Sequence, residues 1–152
     1  MNKIKFIKGF LKNWKEVGSV IPSSRFLAKK MMEPIDFKKA KVIIELGPGL
    51  GCFTDKILEN MKEDAKLIIF EINPDFCREL RNNKDSQLII FNVSALEMAY
   101  HLKELKADYV ISGIPLSTLK DDSRWLLLKA IKSILGDKGV YIQLQYSLGA
   151  YK

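Results

Sequence analysis

Cysteine is almost absent: Cys52 and Cys77 are the only two in 152 residues, and they form no CxxC pair. A disulfide-stapled or zinc scaffold is therefore excluded, no metal site is expected, and a reducing cytoplasm fits. Long apolar runs are missing too, so no stretch reads as a bilayer-spanning helix. The opening segment lacks the continuous apolar core and small-residue cleavage site of a secretory signal. Internal repeats and low-complexity linkers are also lacking. What is present is a 47% apolar composition, which excludes wholesale disorder, at a length suited to one domain.

The formal charge is +7, but it is confined to one part of the chain. Residues 1–30 carry Lys3, Lys5, Lys8, Lys12, Lys15, Arg25, Lys29 and Lys30 against the single acid Glu16. The remaining basic and acidic side chains cancel at 17 each. A basic arm on a neutral body points to an anionic partner, a membrane surface or a nucleic acid. Within the arm Ile4, Ile7, Leu11, Trp14 and Val17 recur at helical spacing, flanked by Phe6 and Phe10. Such a helix over residues 3–17 can serve as a lid, as an interfacial helix on anionic lipid, or as a phosphate-binding arm. Its bulky apolar face favours lipid over nucleic acid. Pro22-Ser23-Ser24 then starts a second helix to about Met32, with serine as its cap, and Pro34 stops it. The arm is assigned to residues 1–34 and the body to 35–152.

In the body, short apolar runs alternate with helical stretches. Val42–Leu46, Leu67–Glu71, Leu88–Phe91, Tyr109–Ile111 and Val140–Leu144 read as strands. The helices between them run to about Met61, from Asn73-Pro74-Asp75, through Leu96 to Lys103, and from about Trp125 to Leu135. Gly136-Asp137-Lys138-Gly139 reads as a turn into strand five. Near-continuously apolar strands alternating with helices predict a parallel, doubly wound α/β sheet covered on both faces. In such a sheet ligands sit beyond the carboxyl ends of the strands, so the residues there carry the functional reading.

After strand one comes Glu45-Leu46-Gly47-Pro48-Gly49-Leu50-Gly51. Alternate glycines allow a tight turn and close ligand approach, and amides starting near Gly51 can face a polar group. No Gly-Lys-Ser/Thr follows, so this is not a nucleoside-triphosphate loop. Glu71 closes strand two, where a carboxylate can accept hydrogen bonds from both hydroxyls of a ribose. His101, the only histidine, falls in a helix away from the strand ends and is read as a packed or surface residue, not a base.

The Glu45–Gly51 segment and Glu71 together resemble the class I S-adenosylmethionine-dependent methyltransferases, over about residues 18–147. The resemblance implies a Rossmann-like methyltransferase sheet with S-adenosylmethionine as cofactor. It assigns Glu45, Gly47, Pro48, Gly49, Gly51, Glu71, Ile72, Ser94, Ala95 and Ser112 to the cofactor. Gly18–Arg25 and Asp108–Leu116 resemble bacterial phospholipid N-methyltransferases, which share ancestry with the ribosomal RNA adenine dimethylases. In nucleic-acid amino methyltransferases the loop after strand four is Asn/Asp-x-Pro-aromatic, and the ring stacks on a flipped base. Here Ser112 is read in place of the Asn or Asp, and Leu116 replaces the ring. The substrate-side residues implied are Ser112, Gly113, Ile114, Pro115 and Tyr146, the last from a Gln143-x-x-Tyr146 segment.

Two departures from the family pattern stand out. Asn92-Val93-Ser94-Ala95 replaces the usual Gly-Asp-Ala near the adenine, leaving an uncharged serine. The chain stops six residues after Tyr146, short of the pair of strands that closes this fold. Strand five is therefore expected at a sheet edge, or covered by the basic arm or another subunit. The leading expectation is a peripheral enzyme of the inner membrane face, methylating the amine of phosphatidylethanolamine. The alternatives are a ribosomal RNA adenine N6-methyltransferase and a truncated cofactor- or membrane-binding protein without turnover.

Overall fold

Parallel strands that are apolar on both faces need helices above and below them, and the alternation of elements in this chain supplies both layers. The computed structural model describes residues 22–83 and 85–144, so the arm helix at 3–17 and Tyr146 lie outside the described residues. The chain divides into two units, Met1–Glu33 and Pro34–Lys152. In the first, α1 spans Pro22–Met32. Pro22 is its first residue, where a missing N–H removes no helical bond. Ser23 and Ser24 therefore lie inside the first turn and not ahead of it.

The second unit runs β1 Val42–Leu46, α2 Cys52–Asn60, β2 Lys66–Phe70, α3 Pro74–Arg81 and β3 Leu88–Phe91. It continues through α4 Met98–Leu102, β4 Ala107–Ser112, α5 Asp121–Ile134 and β5 Leu135–Gln143. Asn73 caps α3 by accepting from the Asp75 amide at 2.9 Å, with Pro74 at the first helical position. After β3 the expected helix does not start directly. Ser94 and Glu97 form a reciprocal capping box that winds Ala95–Glu97 as a 3-10 turn before α4, a local solution favoured by the Ser-x-x-Glu spacing.

All five strands are parallel in the order β3-β2-β1-β4-β5. The chain builds outward from β1 to β3, then returns to place β4 on the other side of β1 (Glu45 opposite Ile111, Leu46 opposite Ser112). The order reverses between β1 and β4, and the crevice beyond their carboxyl ends is where ligands bind in such sheets. Ile44, Leu46, Ile68, Phe70 and Val110 share one core with Met98, Leu102, Leu127, Ile131 and Ile134 from α4 and α5. Burying each such side chain contributes about 1.5–3 kcal/mol. Residues in alternate register, among them Ile43, Glu45, Leu67 and Ile69, are just as buried and point to the other face. Glu45 is thus a carboxylate in a core position.

At the β5 edge the sequence reading needs correction. Gly136-Asp137-Lys138-Gly139 is not a turn ahead of the strand but an irregular stretch within it. Leu135 pairs with Ala107, the register then shifts, and pairing resumes from Tyr109 opposite Val140 to Ser112 opposite Gln143. The surplus residues are absorbed as a bulge. A Cβ on Gly139 would stand 2.8 Å from Leu135 Cδ2, 2.9 Å from the Ala107 carbonyl oxygen and 3.0 Å from the Gly136 nitrogen. At Gly136 the nearest atom is 3.7 Å away. Gly139→Ala should therefore destabilise the protein by about 1–3 kcal/mol, while Gly136→Ala leaves stability near the wild-type value. Urea unfolding of both variants checks this, and equal midpoints would refute the bulge packing.

Candidate active site

The turn after β1 is built from three residues with positive φ: Gly47 at 65°, Gly49 at 58° and Gly51 at 82°. Only glycine adopts this region without strain. The Gly47 amide donates to the Phe70 carbonyl at 2.9 Å and the Gly51 amide to that of Pro48 at 3.0 Å, so the turn is tied to β2 and closed on itself. Gly51 ends it as the N-cap of α2, whose helix-start amides follow.

Glu71 is buried at the end of β2 with both carboxylate oxygens engaged. Oε2 accepts from the Gly49 amide at 3.2 Å and Oε1 from the Asn73 amide at 2.8 Å. Burial raises its pKa, while the Asn73 and Gly49 amides act in the opposite direction. This carboxylate joins the glycine turn to the start of α3, and each oxygen keeps further acceptor capacity for hydroxyl donors. Ile72, beside it, is 64% exposed, an apolar surface next to the acid. Asn92, which the sequence reading did not single out, donates from Nδ2 to the Glu71 carbonyl at 2.8 Å. Ser94 accepts from the Leu96 amide at 3.2 Å within its capping box, and Ala95 is buried in the core. His101 packs on aromatic rings, 5.0 Å from Phe91 and 6.4 Å from Phe70 between centroids.

Glu45 lies deepest. It is 1% exposed, and Thr54, on the first turn of α2, donates to its Oε2 at 2.7 Å. Its other oxygen, Oε1, is buried without a hydrogen-bond partner among the described residues. Burial pushes its pKa up to about 8, and the Thr54 hydroxyl only partly offsets this. A buried acceptor without a partner is costly, so this atom asks for a donor, preferably a cationic one. An ammonium-bearing, ribose-bearing cofactor fits: Glu45 beneath the glycine turn, Glu71 for hydroxyls, and Ile72 for a flat apolar ring. Among the described residues no group of three His, Cys, Asp or Glu could hold a metal ion.

The loop after β4 meets the glycine turn at close range. Gly113 donates to the Leu46 carbonyl at 2.9 Å, and a Cβ on Gly113 would stand 2.9 Å from the Gly47 oxygen. A Cβ on Gly47 would likewise stand 2.9 Å from Ile114 Cγ1. Counting Asn-x-Pro back from Pro115 lands on Gly113, so Gly113 and not Ser112 takes the place of the carboxamide. Ser112 is instead the fully buried last residue of β4. Its Oγ accepts from the Ile114 amide at 3.2 Å. Pro115 is exposed and Ile114 half-buried. Glu45, the glycines, Glu71 and the Ser112–Pro115 loop thus converge at the strand ends. Thr54, Asn92, Tyr141 and Gln143 also support them, though only Gln143 carried a sequence signal, its spacing to Tyr146.

The family model described as ribosomal RNA adenine dimethylase matches residues 10–118. Ornithine lipid N-methyltransferase of Singulisphaera acidiphila is 28% identical over 144 residues, covering 91% of this chain and 75% of that protein. Ribosomal RNA small subunit methyltransferase A of Hydrogenobaculum is 29% identical over 106 residues, covering 69% of this chain and 40% of its own length. The chain therefore spans well under half of that ribosomal RNA relative. Among solved structures, N-methyltransferase NodS from Bradyrhizobium japonicum matches with TM-score 0.67 and 16% identity, over 82% of this chain and 68% of that one. CalS10, an amino pentose methyltransferase from Micromonospora echinaspora, matches with TM-score 0.67 and 12% identity, over 91% and 57%. These two share the Rossmann-like methyltransferase fold. With its acidic-x-Gly-x-Gly-x-Gly turn, its strand-two acid and a family match across most of its length, the chain belongs to the ribosomal RNA adenine dimethylase family of class I S-adenosylmethionine-dependent methyltransferases.

Proposed function

We propose that this chain is an N-methyltransferase for the primary amine of a membrane lipid headgroup, of the ethanolamine or ornithine type. The observation that carries the reading is the loop after β4, where Gly113 and Leu116 stand in place of a carboxamide and a stacking ring. A flipped base held on an aromatic platform gains about 1–3 kcal/mol from stacking, and Leu116 offers no such platform. A headgroup amine needs only hydrogen-bond acceptors and a place to sit. The similarity to ornithine lipid N-methyltransferase over nearly the whole chain supports the same class. The basic, Trp- and Phe-bearing arm suits an anionic membrane surface, and a peripheral position on the inner membrane face follows from the same reading.

S-adenosylmethionine would supply a sulfonium-activated methyl group, whose carbon an amine lone pair can attack in line as the C–S bond breaks and S-adenosylhomocysteine leaves. The protein's part is to orient the amine and keep it unprotonated at the moment of attack. Carbonyls of the Gly113–Ile114 turn accept the hydrogens of a neutral amine, and an apolar Ile114–Pro115–Leu116 wall disfavours an ammonium there. Glu71 would hold ribose hydroxyls and Glu45 the amino-acid end of the cofactor. No histidine base is required, since His101 is occupied with Phe91 and Phe70.

Glu45 also makes stability depend on pH. Its ordinary value is 4.5, and in the folded protein it is about 8. Between these values the folded protein holds a proton that the unfolded chain has released, so stability falls as pH rises through that window. Glu45→Gln removes the titration. The melting temperature of the variant relative to wild type should therefore rise from pH 5 to pH 8 in cofactor-free protein. Parallel curves would show that Glu45 does not carry a raised pKa.

The activity test uses the full chain with methyl-labelled S-adenosylmethionine. One arm offers phosphatidylglycerol vesicles containing phosphatidylethanolamine or ornithine lipid, the other ribosomal RNA. Label should enter the lipid. Gly49→Val places a β-branched residue at a φ of 58°, where such residues are strained. It should weaken cofactor binding about tenfold or more and abolish transfer. Label in RNA with none in lipid overturns the lipid reading. Cofactor binding without transfer to either acceptor points to a binding protein.

A further inference from the structure

The last two β5 residues facing the loop after β4 form a closed hydrogen-bonded ring with it. Gln143 Nε2 donates to the Ile114 carbonyl at 2.9 Å and to the Leu144 carbonyl at 2.6 Å. The Tyr141 hydroxyl donates to Gln143 Oε1. Ser112 Oγ in turn accepts from the Ile114 amide at 3.2 Å. The Ile114 peptide is therefore held at its N–H by Ser112 and at its oxygen by Gln143; the ring closes through the Leu144 backbone, and Tyr141 braces Gln143 at Oε1. The strands beneath fix the geometry: Ser112 is paired with Gln143 across β4 and β5, and the Leu144 amide donates to the Ser112 carbonyl at 2.9 Å.

We propose that Tyr141 and Gln143 are positioning residues that lock the Ile114 peptide, so that its carbonyl is presented to the acceptor amine beside the cofactor turn. This rests on the amine-methylation reading above. A glycine at the Asn-x-Pro position leaves the loop without its own carboxamide, and Gln143 brings one in from the neighbouring strand. It does not point that amide at the substrate. It takes one lone pair of the Ile114 oxygen and leaves the other for an incoming N–H. Ile114 also abuts Gly47, where an added Cβ would lie 2.9 Å from Ile114 Cγ1, so fixing this peptide fixes the distance between the acceptor loop and the cofactor turn. Burial raises the pKa of Tyr141, which keeps the phenol a neutral donor at working pH.

The experiment compares full-length wild type, Gln143→Leu, Gln143→Glu, Tyr141→Phe and the Tyr141→Phe/Gln143→Leu double variant. S-adenosylhomocysteine affinity is read by calorimetry. It should stay within about twofold in all of them, because the ring touches neither Glu45 nor Glu71. With vesicles containing the amine lipid, kcat should fall about ten- to a hundredfold in Gln143→Leu. The double variant should be no worse than the single ones, since the ring acts as one unit. Gln143→Glu as a carboxylate cannot donate to the two carbonyls but regains one donor when protonated, so its activity relative to wild type should recover as pH falls. Amide hydrogen exchange provides a readout independent of activity. Gly113 and Ile114 should exchange at least about tenfold faster in Gln143→Leu and Tyr141→Phe while the core strands keep their protection.

Unchanged exchange at these two amides overturns the proposal. So do additive kinetic losses, or cofactor affinity falling in step with kcat. If wild type methylates no amine lipid while exchange responds as expected, the ring is supported and the lipid reading fails. If wild type methylates lipid and the variants match it, the ring has no positioning role.

Discussion

Two turns from adjacent central strands touch through their backbones, and the rest of the site is arranged around that contact. The turn after β1 and the loop after β4 approach so closely that a Cβ on Gly113 would stand 2.9 Å from the Gly47 oxygen, and one on Gly47 2.9 Å from Ile114 Cγ1. The sheet order imposes this meeting, because β1 and β4 are neighbours at the point where the winding reverses. Each turn must then do its work largely with backbone. The first offers amides and positive-φ glycines, the second offers carbonyls. A methyl donor and an amine acceptor need such opposed surfaces, one gripping a polar cofactor and the other receiving N–H groups.

The same contact explains why the strongest electrostatic cost lies where it does. Glu45 sits one residue before the last of β1, in a register that turns its side chain into the core. Among the described residues a single hydroxyl, Thr54, partners one of its oxygens. A lone buried carboxylate is an expensive feature that natural folds keep mainly where a ligand returns the interaction. Glu71, by contrast, has two amides on its oxygens, and these act against the effect of its burial. The two acids therefore differ in kind. Glu71 is organised by the protein alone, whereas Glu45 has a partner to gain.

Much of this was legible in the sequence, and the reason is local. Apolar runs place strands at 42–46, 67–71 and 109–111, against observed bounds of 42–46, 66–70 and 107–112, and the glycine turn and Glu71 follow from their places at strand ends. What escaped depends on register. Whether Thr54 faces Glu45 is set by how α2 rolls against the sheet, and Asn92 reaches Glu71 only because β3 lies beside β2. Gln143 reaches Ile114, with Tyr141 bonded to it, in the register that follows the bulge after Leu135. The sequence reading took that bulge for a turn, since Gly136-Asp137-Lys138-Gly139 carries ordinary turn chemistry. The decision between turn and bulge came from the Ala107 pairing, a contact distant in sequence. Gly113 as the Asn-x-Pro position, by contrast, is legible in the sequence by counting back from Pro115, whereas the burial of Ser112 at the end of β4 is a fact of pairing.

The substrate reading follows from what this loop can and cannot do. A nucleobase brings a large flat surface, and a site that takes it must repay the unstacking of a few kcal/mol that flipping costs. An aromatic ring supplies that repayment, and a carboxamide then selects the amino group. With Leu116 and Gly113 in those two places, neither term is present in the loop. A headgroup amine at a membrane surface has no stack to leave. Its needs are smaller: acceptors for its hydrogens, an apolar wall that favours the uncharged form, and a loop that does not move away from the methyl donor. The Ile114 carbonyl, the Ile114–Leu116 side chains and the ring through Ser112 and Gln143, braced by Tyr141, meet those needs. Family membership sets the fold and the donor, and under the proposed reading the two replacements in this loop turn the acceptor side toward a small amine.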